Sequence, residues 1–259
     1  MVIVSKIRKR VNTWPLLALL LIQIPATDLA AQDTASRRPL VTRKLQVYKR
    51  QVKDDPNKEM VELKSVALNI IYDLRYATIN NFMHRLMYPE NTDITFLRRP
   101  VADSLVKVLI ELSEKGIGIK IFDAYRPYSV TVKFWELVHD ERYVANPARG
   151  SGHNRGTAVD LTLIWLKDST ELDMGTGFDN FTDSAHHSFT AFSPVIMANR
   201  NLLKSTMEKY GFKAFGTEWW HYYIPNQSQY EVLDIPFRKL KKTVHKPKIV
   251  EDFITGSPE

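Results

Sequence analysis

The chain contains no cysteine. That excludes a disulfide framework, a lipid-attachment cysteine and any thiolate metal ligand. It also lacks a comfortable membrane span: the apolar stretch Leu16 to Ile24 falls well short of the roughly 20 residues that a bilayer requires. There is no internal repeat, so a solenoid or propeller is excluded. The formal net charge is +7, but no nucleic-acid-binding motif accompanies it, which argues against a nucleic-acid partner. What remains is ordinary globular composition, 44% hydrophobic and 25% charged over 259 residues, enough for one or two domains.

Residues 1–31 read as a secretory signal. Lys6, Arg8, Lys9 and Arg10 form a basic leader, Leu16 to Ile24 an apolar core, and Ala30-Ala31 a small-residue cleavage site, with Leu29 as its imperfect element. The alternative is an uncleaved N-terminal anchor. An exported chain without disulfides suits a bacterial periplasm or cell envelope. Basic residues crowd both ends. Arg37, Arg38, Arg43, Lys44, Lys49 and Arg50 precede the domain, and Arg238 to Lys248 follow it. Such runs are expected to be solvated and poorly ordered, and weak electrostatic contact with an anionic envelope is the functional alternative. The expected layout is a basic extension at 32–59, a domain at 60–237 and a basic tail at 238–259.

Within the domain, Val66 to Tyr72 is β-rich and reads as a strand. Val101, Leu105, Val108, Leu109 and Leu112 fall at helical spacing between Pro100 and Gly116. A short apolar strand over Gly118 to Phe122 delivers Asp123 and Arg126 to its end, and a second helix spans about 129–139. His153 is expected in a turn or bulged strand end, followed by a central strand from Ala158 to Trp165. A polar loop covers 167–188. A third helix runs over about 194–210, with Val195, Asn199, Leu202, Leu203, Met207 and Tyr210 inward, and a last strand covers Trp219 to Ile224. This mixed, non-alternating order predicts a single α+β domain with an antiparallel-rich central sheet flanked by helices.

Two stretches carry chemistry: Ser151-Gly152-His153-Asn154-Arg155-Gly156-Thr157-Ala158-Val159-Asp160 and Glu218-Trp219-Trp220-His221. Taken singly, His153 and His221 read as structural histidines, Asp160 as a buried capping acid and Glu218 as a surface ion-pair partner. Together they offer two imidazoles, one carboxylate ligand and one spare carboxylate. That is the donor set of a catalytic zinc site with an open fourth position and a base for its water. Asp160 interrupts an apolar strand, and a buried carboxylate needs a partner or a metal. Residues i and i+3 of a regular strand face opposite sides, so Glu218 shares a site with His221 only through a turn or bulge, which Gly216 makes plausible. Arg126 either pairs with Asp123 or stabilises an oxyanion. Trp219 and Trp220 read as packing residues.

These motifs resemble the D-alanyl-D-alanine dipeptidases, the VanX-like zinc peptidases. The likeness rests on Ser151-x-His153-x-x-Gly156-x-Ala158-x-Asp160 and Glu218-x-Trp220-His221. It extends to Asp73 to Thr78 with Asn81-Phe82, to Asp123 to Pro127, to Met174-Gly175-x-x-Phe178-Asp179 and to Ser184-x-His186-His187. It covers roughly residues 60–237 in the family's order. The resemblance implies the hedgehog/DD-peptidase fold and one zinc ion held by His153, Asp160 and His221. It implies Glu218 as general base and acid, Arg126 at the oxyanion, and substrate contacts from Ser151, Asp179 and Tyr76. Asp179 suits an ammonium partner, with a loop-structuring acid as the alternative. His186 and His187 receive no catalytic role; support of the metal ligands is one reading of them.

The expected activity is hydrolysis of D-alanyl-D-alanine or a similar D-amino-acid dipeptide. The alternatives are a peptidoglycan stem-peptide carboxypeptidase or endopeptidase, and a non-catalytic zinc-stabilised cell-wall-binding module. Export distinguishes the chain from the cytoplasmic VanX-like enzymes and points to wall-peptide turnover or salvage.

Overall fold

The computed structural model describes residues 39–67 and 69–244. The expected signal, Arg37, Arg38 and the tail beyond Val244 lie outside the described residues. In chain order the strands are β1 (Val41–Thr42), β2 (Met60–Glu62), β3 (Ile71–Tyr72), β4 (Phe96–Arg98), β5 (Ile117–Asp123), β6 (Ala158–Trp165), β7 (Lys213–Phe215), β8 (Glu218–Tyr223) and β9 (Val232–Leu233). The helices are α1 (Leu45–Asp54), α2 (Arg99–Ser113), α3 (Tyr128–Val138), α4 (Gly152–Arg155), α5 (Pro194–Lys209) and α6 (Phe237–Lys241). Among the described residues, no helix is long and apolar enough to cross a membrane.

The core is a five-stranded sheet in the order β3-β5-β6-β8-β7, with β3 parallel to β5 and the remaining pairs antiparallel. This is the antiparallel-rich α+β arrangement expected from the sequence. β6 lies at its centre and is buried from Ala158 to Ile164, which explains its nearly continuous apolar run. Leu161 and Leu163, with Val159, alternate with Asp160 and Thr162 along it, so one face is apolar and the other carries polar groups. α2 packs against β5 and α5, and α5 also meets β6 and β8, forming the helical layer.

α2 begins with Pro100 in its first turn, where the missing N–H costs nothing, and buries Val101, Leu105, Val108, Leu109 and Leu112 as their spacing requires. Gly116 follows at φ +70°, a left-handed conformation that glycine adopts freely. α3 ends at His139 in the same region, φ 52°.

Several expectations need correction. The strand expected from Val66 to Tyr72 forms only at Ile71–Tyr72, because a 3-10 turn at Leu63–Ser65 and a helical Val66 bend the chain before it reaches β5. Of the two placements expected for His153, a turn or a bulged strand end, the structure has the turn, the short helix α4. On α5 the inner face runs through Arg200, Leu203, Thr206 and Met207, whereas Val195 is 66% exposed. Neither basic end is a loose tail throughout. β1 pairs in parallel with β9, the Tyr48 hydroxyl on α1 accepts the Met60 N–H at 2.7 Å, and Leu240 of α6 is fully buried. Apolar residues among the cations supply the anchor, while Arg43, Lys44, Lys49 and Arg50 stay in solvent.

Candidate metal centre

Three neighbouring strands deliver the site. Asp160 on β6 pairs in register with His221 on β8 and with Asp123 at the end of β5. Opposed residues of an antiparallel pair share a face, so the aspartate and the histidine point the same way. His153 arrives from α4, where local sequence sets the turn. The Ser151 hydroxyl accepts the Asn154 N–H at 3.2 Å and the Asn154 side chain accepts the Ser151 N–H at 2.9 Å, a reciprocal cap. Gly156 closes the turn at φ 69°, and its Cβ-free α-carbon lies against Met60, where an added Cβ would stand 2.7 Å from the sulfur. Asn154, fully buried, also donates to the Arg126 carbonyl at 2.9 Å and to Thr131 Oγ1 at 2.8 Å, tying α4 to the arginine segment.

The donor atoms converge. His221 Nδ1 stands 2.8 Å from Asp160 Oδ1, His153 Nε2 stands 3.3 Å from His221 Nδ1, and His153 Nε2 stands 3.4 Å from Asp160 Oδ2. A tetrahedral zinc with bonds near 2.0–2.1 Å has ligand–ligand edges of about 3.3 Å; the two nitrogens stand at that spacing and each has an Asp160 oxygen close by, so the donor set suits the ion. His153 Nδ1 is 2.7 Å from the Ala124 carbonyl, the contact that fixes its proton there and turns the Nε2 lone pair into the cluster. Burial opposes a charged Asp160, but the two imidazoles hold its carboxyl well below the usual range. Burial also draws His221 towards neutrality, and Asp160 with Glu218 outweighs it, raising the imidazole without metal.

Glu218 reaches the site through an irregular hairpin. The β7–β8 register shifts between Ala214 and Phe215, so that Ala214 faces Tyr222 while Phe215 faces Glu218. This break brings Glu218 Oε2 to 3.9 Å from His221 Nδ1. Burial raises its carboxyl and the Asp160 charge adds to this, against the pull of His221, His153 and Arg126.

Arg126 does pair with Asp123, and it also faces the cavity. Its Nε and Nη2 donate to Asp123 Oδ2 at 3.0 and 2.8 Å, leaving Nη1 without a partner among the described residues. Burial opposes its charge, but Asp123 and the nearby groups keep the guanidinium firmly protonated. Tyr76 donates to Asp179 at 3.1 and 3.2 Å from the two carboxylate oxygens. Asp179 sits at φ 59°, and burial followed by the Asp160 charge pushes its carboxyl well up. All eight residues singled out from sequence (Tyr76, Arg126, Ser151, His153, Asp160, Asp179, Glu218 and His221) line one cavity of about 320 Å³.

The Peptidase_M15 family model, described as D-ala-D-ala dipeptidase, matches residues 56–242. The D-alanyl-D-alanine dipeptidase of Escherichia coli (strain K12) is 32% identical over 175 residues, covering 68% of this chain and 89% of that protein. The chain belongs to the D-Ala-D-Ala dipeptidase family. As a member it is a zinc metallopeptidase. The Enterococcus faecium D-alanyl-D-alanine dipeptidase is 29% identical over 183 residues, covering 64% of this chain and 91% of that one. Among solved structures, the LdcB LD-carboxypeptidase aligns at a TM-score of 0.36 with 17% identity, covering 61% of this chain and 75% of the other.

Other groups of this family member emerge only from the fold. Arg200 donates to the carbonyls of Met174, His186 and Ser184 at 2.7, 3.2 and 2.9 Å, bracing the loop that carries Asp179. A lone arginine at helical spacing from Leu203 and Met207 was its signal in the sequence. The support expected of His186 and His187 takes another form. The His187 N–H donates to the Gly216 carbonyl at 3.0 Å and its ring lies near Tyr222, whose strand position places it opposite His221.

Proposed function

We propose that this dipeptidase-family protein cleaves D-alanyl-D-alanine or a close D-amino-acid dipeptide, using His153, Asp160 and His221 as zinc ligands. The observation that carries the reading is the joint lining of one small cavity by the ligand trio, a spare glutamate, a buried arginine and the Tyr76–Asp179 pair. Zinc, when bound, lowers the pKa of a water and acts as a Lewis acid on the peptide carbonyl.

The remaining work falls to the chain. Glu218 takes the proton of the attacking water and returns it to the departing amine, a role suited to a carboxyl that burial raises above its usual range. Arg126 Nη1 stabilises the negative oxygen formed as the carbonyl is attacked, with Asp123 fixing the plane of the guanidinium. Asp179, whose charge is costly in the empty cavity, becomes favourable when a substrate ammonium arrives, and the Tyr76 hydroxyl orients it. The Ser151 hydroxyl, which accepts from Asn154, keeps its own hydrogen for the substrate. Retention of Glu218 and Arg126 at the cavity argues against a purely binding module.

We place the enzyme at the cell envelope, in wall-peptide turnover or salvage, on the strength of the leader-like residues 1–31. The test is release of free amine by the zinc-loaded protein from D-Ala-D-Ala, L-Ala-L-Ala and a pentapeptide stem. Turnover of the D-dipeptide alone supports the dipeptidase. Faster turnover of the stem would replace that reading with a carboxypeptidase.

A further inference from the structure

We infer that Gln227 reads the carboxylate of the amino acid that leaves, and so sets the enzyme's preference for a free C-terminus. The inference rests on the peptidase reading above. Gln227 opens the 3-10 turn Gln227–Gln229 just after β8, behind Asn226 at φ 59°. Its backbone is held by the Tyr230 N–H, which donates to the Gln227 carbonyl at 3.0 Å. The side chain lines the same cavity as Ser151, His153, Glu218 and His221.

Its carboxamide lies directly against the α-carbon of Gly152. A Cβ built there would stand 2.8 Å from Gln227 Oε1 and 3.2 Å from Nε2, so only glycine admits the amide to this position. Gly152 is flanked by Ser151 and by the ligand His153. The amide therefore lies against the segment that carries both, and among the described residues it has no hydrogen-bond partner of its own.

Charge assigns the role. A free dipeptide carries an ammonium and a carboxylate. The ammonium goes to Asp179, and the carboxylate must find donors away from Asp179 and Glu218. Arg126 is committed to Asp123 and the carbonyl oxygen. Arg142, also at the cavity, is taken up by Asp140, with contacts of 2.6 to 3.1 Å. Tyr223 also lines the cavity, its ring tilted towards His221, and its hydroxyl is the competing donor. On and against the segment that carries the ligand His153, the Ser151 hydroxyl and the Gln227 amide N–H are both free to donate. An amide N–H here donates to a carboxylate, while the ammonium is drawn to the full negative charge of Asp179.

The experiment compares kcat/KM for D-Ala-D-Ala and its C-terminal amide in zinc-loaded wild type, Gln227→Leu, Gln227→Glu and Tyr223→Phe. Thermal melts and zinc content serve as checks of folding. A lost hydrogen bond to a charged group corresponds to about tenfold or more, so Gln227→Leu should lower the acid's kcat/KM by about that factor, mainly through KM, with the amide changed by about twofold or less. Gln227→Glu should depress the acid further and leave the amide preferred. An acid-to-amide ratio unchanged in both variants overturns the inference while leaving the peptidase intact, as does a ratio that collapses only in Tyr223→Phe. Wild type inert towards both substrates removes the peptidase reading, and this inference falls with it.

Discussion

The Tyr88 hydroxyl donates to Asp123 Oδ1 at 2.6 Å, while Asp123 Oδ2 receives both contacts from Arg126. The aspartate is fully buried and the tyrosine nearly so. A chain of phenol, carboxylate and guanidinium thus ends at the cavity, and the tyrosine acts on the reaction only through the other two. Tyr88→Phe leaves one carboxylate oxygen unsatisfied in the interior, a cost of about 1–3 kcal/mol. Urea unfolding should show that loss. Steady-state kinetics should show kcat falling about tenfold with KM nearly constant, since the arginine loses its fixed orientation but no substrate contact is removed. Zinc content should be unaffected. An unchanged kcat in a destabilised variant would confine Tyr88 to packing.

Metal and stability are coupled at the trio. Without an ion, the buried Asp160 depends on the two imidazoles beside it, and its charge with that of Glu218 raises His221 against burial. Zinc takes that role in the folded state. Thermal melting should therefore rise with free zinc, by about 2.7 kcal/mol of stability at a hundredfold excess over Kd. Chelator should reverse the gain. His153→Ala should abolish the zinc dependence, because it removes one of three ligands and its bond to the Ala124 carbonyl. A zinc-dependent melt that survives in His153→Ala would place the ion elsewhere.

Much of this site was legible in the chain because its parts are local. His153 and Asp160 lie within one strand-and-turn segment, and Glu218 and His221 within another, so residue type and order already suggest the chemistry. The strand alternation even required an irregular β8 entrance, and the shifted β7–β8 register supplies one. What the chain concealed depends on distance. The Ala124 carbonyl that orients His153 is a backbone group, silent in any motif. Arg200 reads as a surface cation until α5 is docked and three loop carbonyls meet it. The sequence allowed a turn at His153 but not its helical form, whose stability comes from the Ser151–Asn154 exchange rather than from helix propensity. The basic ends misled for the opposite reason. Charge dominates their composition, but Tyr48, Phe237 and Leu240 are buried and β1 pairs with β9, which ties both ends to the domain.

Glu218→Gln separates binding from turnover. The substitution keeps shape and removes the proton carrier, and Glu218 is not one of the three converging donors. Zinc should bind stoichiometrically, measured by atomic absorption, while kcat falls about 10²–10⁴-fold, the usual worth of a general acid–base group. Full activity with full zinc would show that another group moves the proton.

His187 should make the fold acid-sensitive independently of the metal. Its Nε2 is buried without a partner among the described residues. Burial, followed by the Lys204 and Arg200 charges, pushes the imidazole down to about 4. The unfolded chain has an ordinary histidine near 6.5 and so binds the proton first as pH falls. This group's contribution is complete above pH ~6.5, declines as acid is added and is gone below pH ~4. Partial exposure limits it to about 1–2 kcal/mol. His187→Phe keeps a ring beside Tyr222 and removes the orphaned nitrogen. Urea midpoints of apo wild type and variant, compared at pH 7.5 and about pH 5, should diverge at the lower value, with the variant losing less. Identical losses in the two proteins would assign the acid sensitivity to other groups.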